Sequence, residues 1–107
     1  MAQPAIDDNF DLRRAARHRA SYDVLADSKK HGEQKLHIAN ISAHGFMIDN
    51  NKVFEHGDRV ELRLPVVGRI EAHLIWSVDG RAGFQFERVV RLPDFMALID
   101  VVGPKLR

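Results

Sequence analysis

Two groups of residues in this 107-residue chain could do chemistry. The first is Arg13-Arg14-Ala15-Ala16-Arg17, an RxxxR spacing with a further arginine inside it. A guanidinium is a planar fork of five donors that fits phosphate oxygens and stacks on aromatic faces, so this cluster suits a compact anion. The second is Asn40-Ile41-Ser42-Ala43-His44-Gly45, an NxSxxG spacing about two dozen residues further on. An amide donates and accepts, a hydroxyl does both on a small scale, and glycine lets another group approach the backbone. Taken singly, neither group is specific. A basic arm is usually solvated, and an Asn and a Ser beside a glycine often cap a turn.

Other chemistries find no support. The chain has no cysteine, which excludes disulfides, thiolate metal sites and cysteine nucleophiles. The six histidines (18, 31, 37, 44, 56 and 73) show no HxxH or HExxH spacing, so no metal site is expected. No paired carboxylates, Ser-His-Asp grouping or Gly-rich phosphate loop stands out, and no catalytic residue is assigned. The expectation is a binding protein, not an enzyme.

The elements that must position the two groups follow from periodicity. Residues 1–11 hold Asp7, Asp8 and Asp11, no base and no apolar period, and are expected to form a flexible tail. Residues 12–19 hold Arg13, Arg14, Arg17, His18 and Arg19 and no acid, and are expected to form an arginine arm. The acidic tail is expected to occupy the arginines in the free state. From Ala20 the chain reads as short strands. Tyr22, Val24 and Ala26 alternate with polar neighbours, and residues 35–41 and 45–49 read as two further strands. Val60, Leu62 and Leu64 alternate with charged residues, as do Ile70, Ala72, Leu74 and Trp76. Asp79-Gly80 signals a tight hairpin before a last strand over 83–87. Phe46, Met47, Trp76, Phe84 and Phe86 are assigned to the core. About six strands in so few residues suit a small barrel. Phe95, Leu98, Ile99 and Val102 fall at i, i+3, i+4 and i+7, behind Pro93-Asp94 and before Gly103-Pro104, which predicts an amphipathic helix over 93–103 packed on the barrel.

The two motifs together, in this order, resemble those of the PilZ domain family. Gly45-Phe46-Met47-Ile48 resembles that family's third strand. Ile75-Trp76 with Arg81-Ala82-Gly83-Phe84-Gln85-Phe86 resembles its closing hairpin. The likeness runs from about Arg13 to about Val90. It implies an all-β fold, a six-stranded antiparallel barrel over 12–92 with a short C-terminal helix. It also implies a bacterial receptor for the second messenger cyclic di-GMP. By resemblance the ligand's phosphates and guanines fall to Arg13 and Arg17, with Arg14 as a further arginine. A guanine falls to Asn40, Ser42 and Gly45. His44 and Gly83 are added as further candidate contacts. Many family members carry aspartate where this chain has Asn40. A carboxylate accepts from guanine N1–H and N2–H with charge assistance, so the amide is expected to bind more weakly. Leu12 supplies no extra cation ahead of Arg13, which favours one ligand molecule over an intercalated pair.

Expectations about setting follow. No cofactor is expected beyond the ligand, and signalling is expected to pass to a downstream protein partner. No stretch is apolar enough for membrane insertion, and the N-terminus lacks a signal's basic region, so a cytoplasmic protein is expected. The resemblance points to motility, surface polysaccharide or biofilm control. Two rival readings are a PilZ-fold interaction module that ignores the nucleotide and a small RNA- or DNA-binding barrel. Retention of the arginines argues against the first. The balance of 16 Lys+Arg against 15 Asp+Glu argues against a long polyanion. That near-neutrality hides neighbouring blocks of opposite sign and leaves room for a small dianion at one cluster.

Overall fold

The computed structural model describes residues 16–104. Six strands form a closed barrel: β1 (His18–Ser28), β2 (Gly32–Ser42), β3 (Gly45–Ile48), β4 (Arg59–Leu64), β5 (Gly68–Val78) and β6 (Arg81–Phe86). Their order around the barrel is β1-β2-β3-β6-β5-β4, with every neighbouring pair antiparallel. The expected all-β fold with one C-terminal helix is the observed one. The first strand starts earlier than the sequence pattern indicated, so His18 and Arg19 belong to the sheet rather than to the arm. The reason is pairing: His18 lies opposite Ile41 and Arg19 opposite Asn40, and backbone ladders do not need apolar alternation.

Turn chemistry sets the hairpins. Ser28 Oγ accepts from the backbone N–H of Lys30 at 3.2 Å and of His31 at 3.0 Å, tying down the β1–β2 turn. Asp79 (φ 49°) and Gly80 (φ 82°) both take positive φ, as a two-residue hairpin turn requires. The β4–β5 turn is less comfortable, because Val66 adopts φ 67°, an outlying value for a β-branched residue.

The barrel interior is one apolar cluster. Leu36, Ile38, Ile41, Phe46, Ile48, Val60, Leu62, Ile70, Leu74 and Phe84 are buried, and the Phe46 and Phe84 rings stack with centroids 5.0 Å apart. Phe54 comes from the loop between β3 and β4. Asn51 brackets it, donating to its carbonyl and accepting from its N–H, both at 3.1 Å. Helix α1 (Leu92–Val102) covers the end where β1 begins, burying Phe95, Leu98 and Val102, with the Phe95 ring 5.4 Å from His18. The helix is thus displaced by one residue from the expected 93–103, with Pro93 in its first turn, where the missing N–H costs nothing.

Two core assignments need correction. Met47 and Trp76 are only partly buried, whereas Phe46, Phe84 and Phe86 are in the core. Met47 falls between Phe46 and Ile48, both buried, so strict alternation turns it outward. Trp76 follows an irregularity: β5 and β6 pair Leu74 with Phe84 and then Trp76 with Gly83. The extra residue, Ile75, shifts the parity of everything after it, and the indole leaves the interior.

Candidate functional site

Register brings a set of side chains into one row on the outside of the barrel. Arg19 pairs with Asn40, Asn40 with Met47, Met47 with Gly83 and Gly83 with Trp76. Three of the four strand pairings along this row carry an irregularity: between Arg19 and Tyr22, between Ile38 and Asn40, and between Leu74 and Trp76. Bulges re-aim side chains and bend the sheet, and three beside one row give this face a shape that an uninterrupted ladder would not have.

One arginine of the basic segment, Arg17, reaches this row. Arg17 Nη1 donates to Asn40 Oδ1 at 2.8 Å, and Asn40 Nδ2 points to Met47 Sδ at 3.7 Å. The two sequence motifs therefore meet in one contact, 23 residues apart in the chain. The acid of β1 has partners of its own. Asp23 is held by His37 Nδ1 at 2.7 Å and Lys35 Nζ at 3.7 Å. The hydrogen bond from His37, then the charge of Lys35, hold the Asp23 carboxyl below its ordinary range. Arg13, Arg14, Leu12 and the acidic tail lie outside the described residues.

The rest of the second motif forms the β2–β3 turn. Ser42 is buried and its Oγ accepts from the His44 N–H at 3.1 Å, an internal turn bond that leaves the hydroxyl proton unassigned. His44 is exposed, and its carbonyl accepts from the Phe86 N–H at 2.8 Å. Gly45 is required by packing: a Cβ there would collide with the Phe84 carbonyl oxygen and stand 3.0 Å from Gln85 Cα. Gly83 is required by its neighbour, because a Cβ there would enter the Trp76 indole. The ring thus lies over Gly83, the arrangement by which an aromatic covers a cross-strand glycine.

Chemically, the row offers a cation on an amide, a thioether and a flat aromatic surface, with the exposed turn at His44 nearby. That inventory suits a ligand combining negative charge with planar rings. The surface is open rather than hollow. A concavity of about 530 Å³ lies elsewhere, lined by Asp27, Asp58, Glu61 and Glu71 together with Lys29, Lys30 and Arg59. Its acids and bases nearly balance, so it concentrates no positive charge for an anion. Among the described residues no group of three or more His, Asp or Glu could hold a metal ion.

Trp76 and Met47 are the members of the row that motif reading missed. A signal for Trp76 was present. A two-residue turn at Asp79-Gly80 pairs Val78 with Arg81 and, counting back, Trp76 with Gly83. An aromatic placed opposite glycine is an outward-facing pair more readily than a core one.

Comparison with known proteins agrees with this geometry. The profile of the PilZ domain matches residues 11–102. Among solved structures, the chain is similar to the PilZ domain of CeSA from a cellulose-synthesising bacterium, with a TM-score of 0.57 and 17% sequence identity. That likeness covers 82% of this chain and 95% of the other. No curated protein matches the chain.

Proposed function

The chain belongs to the PilZ domain family, a family of cyclic di-GMP receptors and adaptors, and on that premise we propose that it binds cyclic di-GMP on the Arg17–Asn40–Trp76 row and passes the signal to a partner protein. The observation that carries this reading is the 2.8 Å contact joining Arg17 to Asn40, which unites both motifs on one surface. Arg13, Arg14 and Arg17 supply forks for the phosphates and guanine edges. The Asn40 carbonyl retains a second lone pair for a guanine N–H. Ser42, His44 and Gly45 border the base from the turn, and Gly83 keeps the backbone low enough for Trp76 to present its face.

Magnitudes are compatible with a micromolar site. Such a site needs about 8.2 kcal/mol net, and each charge-assisted hydrogen bond contributes roughly 1.5–3 kcal/mol. Ordering the arm costs about 1–2 kcal/mol per residue in backbone entropy. The Arg17–Asn40 contact anchors one end of the arm on the barrel, which reduces that cost. On this reading residues 12–17 close over one ligand molecule and change the surface seen by the partner. The setting that goes with it is cytoplasmic, with motility, surface polysaccharide or biofilm state as the process controlled. Among the described residues no helix is long and apolar enough to cross a membrane.

Titration calorimetry with cyclic di-GMP tests the proposal. Saturable heat with one ligand per chain is expected. Arg17→Ala should weaken binding roughly 10- to 100-fold, the loss of one charge-assisted contact. Asn40→Asp should tighten it about tenfold by adding charge to the guanine contact. Absence of heat overturns the reading in favour of a nucleotide-independent module, and undiminished binding in Arg13→Ala plus Arg17→Ala overturns the placement of the ligand on the arginine arm.

A further inference from the structure

One seam of the barrel wall is incomplete. β1 runs for 11 residues but meets β4 in two rungs only, Ala26↔Leu62 and Asp27↔Glu61. Bonds elsewhere fix which backbone groups are left over. His37 donates its N–H to Asn50 Oδ1 at 2.9 Å and accepts from the Asp49 N–H, and the Lys35 carbonyl accepts from Asn50 Nδ2 at 3.0 Å. These groups therefore point away from β1. Their cross-strand neighbours Asp23 and Leu25 must then turn their own N–H and carbonyl away from β2, towards β4. On the far side, Leu74 makes its backbone bonds towards Gly57 and Asp58, on the β4 side of β5. Alternation along the β4–β5 ladder then aims the Arg63 N–H and carbonyl at β1.

The residues after Leu64 keep the seam from zipping further. Continued register would set Pro65 opposite Asp23, but proline has no N–H, and the Pro65 carbonyl already accepts from the Val67 N–H at 2.6 Å. Val66, at φ 67°, then turns the chain towards β5. Allowing the Ala26↔Leu62 rung its flanking bond between the Leu25 carbonyl and the Arg63 N–H, four groups remain. The Leu25 N–H, the Arg63 carbonyl and both groups of Asp23 have no partner among the described residues. They border a concavity of about 370 Å³, lined by Tyr22, Asp23, Val24 and Leu25 on β1 and by Leu62 and Arg63 on β4. Successive side chains of a strand leave on opposite faces, so four consecutive lining residues mean that the concavity follows the strand edge.

Free donors and acceptors on every second residue match one kind of occupant, an extended backbone. The side chains narrow it. Tyr22, on the inward side of β1, packs against the core yet stays partly uncovered, so the floor is apolar. On the outer rim Asp23 is held by His37 and Lys35, and Glu61 by Arg69, while Asp27 lies beyond the two closed rungs. Arg63, at the open end, has no ion-pair partner among the described residues. We infer that the β1–β4 seam is a strand-addition site for an extended segment of a partner protein, apolar at alternate residues with a carboxylate between them. The segment continues the line of β4 and pairs with Asp23 and Leu25. Its apolar side chains face inward over Tyr22, and its carboxylate faces outward to Arg63. The free edge from Asp23 to Leu25 spans only about 7 Å, so the segment alone binds weakly, with a dissociation constant of about 0.1–1 mM.

Amide NMR of the full chain tests this in two steps. In the free chain the Leu25 N–H should exchange with solvent at least about tenfold faster than the Val24 N–H, which faces β2. Equal protection would mean that the edge is already paired, and would overturn the inference. The second step titrates a blocked pentapeptide, threonine–valine–glutamate–valine–threonine, to about 5 mM. Saturable shifts at Asp23, Leu25 and Arg63 are expected. Methylating the peptide's glutamate nitrogen should weaken binding at least about tenfold, and because that change is on the peptide, the loss cannot come from misfolding. Glutamine in place of the glutamate should weaken binding about three- to tenfold on the wild type and leave it unchanged on Arg63→Gln. No shift by about 5 mM, or undiminished binding of the methylated peptide, overturns the inference. Binding seen only after residues 2–11 are deleted makes the chain's own acidic segment the occupant, and overturns it equally. The measurements omit cyclic di-GMP, so their result does not depend on the nucleotide reading.

Discussion

The barrel has two contrasting outer walls. The β4–β5 wall is regular, with six consecutive register pairs from Arg59↔His73 to Leu64↔Gly68 and no irregularity. The wall across β1, β2, β3, β6 and β5 that holds the candidate site is interrupted three times. On the regular wall the outward residues fall in like-charged rungs, Glu61 opposite Glu71 and Arg63 opposite Arg69. Relief there is diagonal and exposed, through Arg69–Glu61 at 3.5 Å and Arg59–Glu71 at 3.8 Å. On the interrupted wall the row is Asn40, Met47, Gly83 and Trp76, with Arg17 on top. A regular ladder makes a closed, solvated wall. Bulges and glycines make a surface that a flat ligand can lie against.

The contrast can be broken most severely at the core behind the site. Phe84→Ala should cost about 3–5 kcal/mol, since its ring is buried and stacked on Phe46. Trp76→Ala, one strand away, should cost about 1 kcal/mol or less, because the indole lies outside the interior. Chemical denaturation of the two variants checks this, and equal losses would return Trp76 to the core.

Next in size is the close approach of β3 to β6. Gly45→Ala must push the Phe84 carbonyl away and should cost about 3 kcal/mol. A melting temperature within a few degrees of wild type would show that the sheet yields there.

The end of the barrel away from α1 is the place to test acid sensitivity. Asp58 accepts from the Glu55 N–H at 2.8 Å, from His31 at 3.2 Å and from Lys30 at 3.4 Å. Those bonds, the one from Glu55 foremost, hold its carboxyl below the ordinary range despite burial. A carboxyl depressed on folding stabilises the fold above its unfolded value near pH 4, and that contribution disappears as the pH falls through the folded value. Asp58→Asn should therefore lose about 1 kcal/mol at neutral pH, and the difference from wild type should shrink on acidification. Parallel pH–stability curves for the two proteins would contradict it.

The smallest effect runs the other way. Val66→Gly relieves positive φ on a β-branched residue that is 55% exposed. The strain relieved exceeds the added unfolded-state entropy, and a gain of about 0.5–1 kcal/mol is expected as a rise of a few degrees in melting temperature. A fall would mean that the Val67 N–H to Pro65 carbonyl contact at 2.6 Å depends on the valine.

Much of this protein is legible without coordinates. Alternation in β4 and in the first half of β5, the Asp79-Gly80 turn, the helix and the two motifs are local features. Each follows from which residue types stand at period two or period 3.6, or from which dipeptide tolerates positive φ. The parity of a strand after a bulge is different in kind. Whether Ile75 is absorbed as an extra residue depends on how β5 and β6 pair along their length, and the alternation of Ile70, Ala72 and Leu74 points to the wrong side for Trp76. The outward turn of that indole rests on the pairing within the β5–β6 hairpin, and the meeting of Arg17 with Asn40 and the obligation of Gly45 to its β6 neighbour are set by chain segments distant in sequence. Composition and local pattern determined that this is a small barrel with a basic arm and a polar turn. Only the closed register, whose pairing energy is shared among six strands, decided which side chains share a surface.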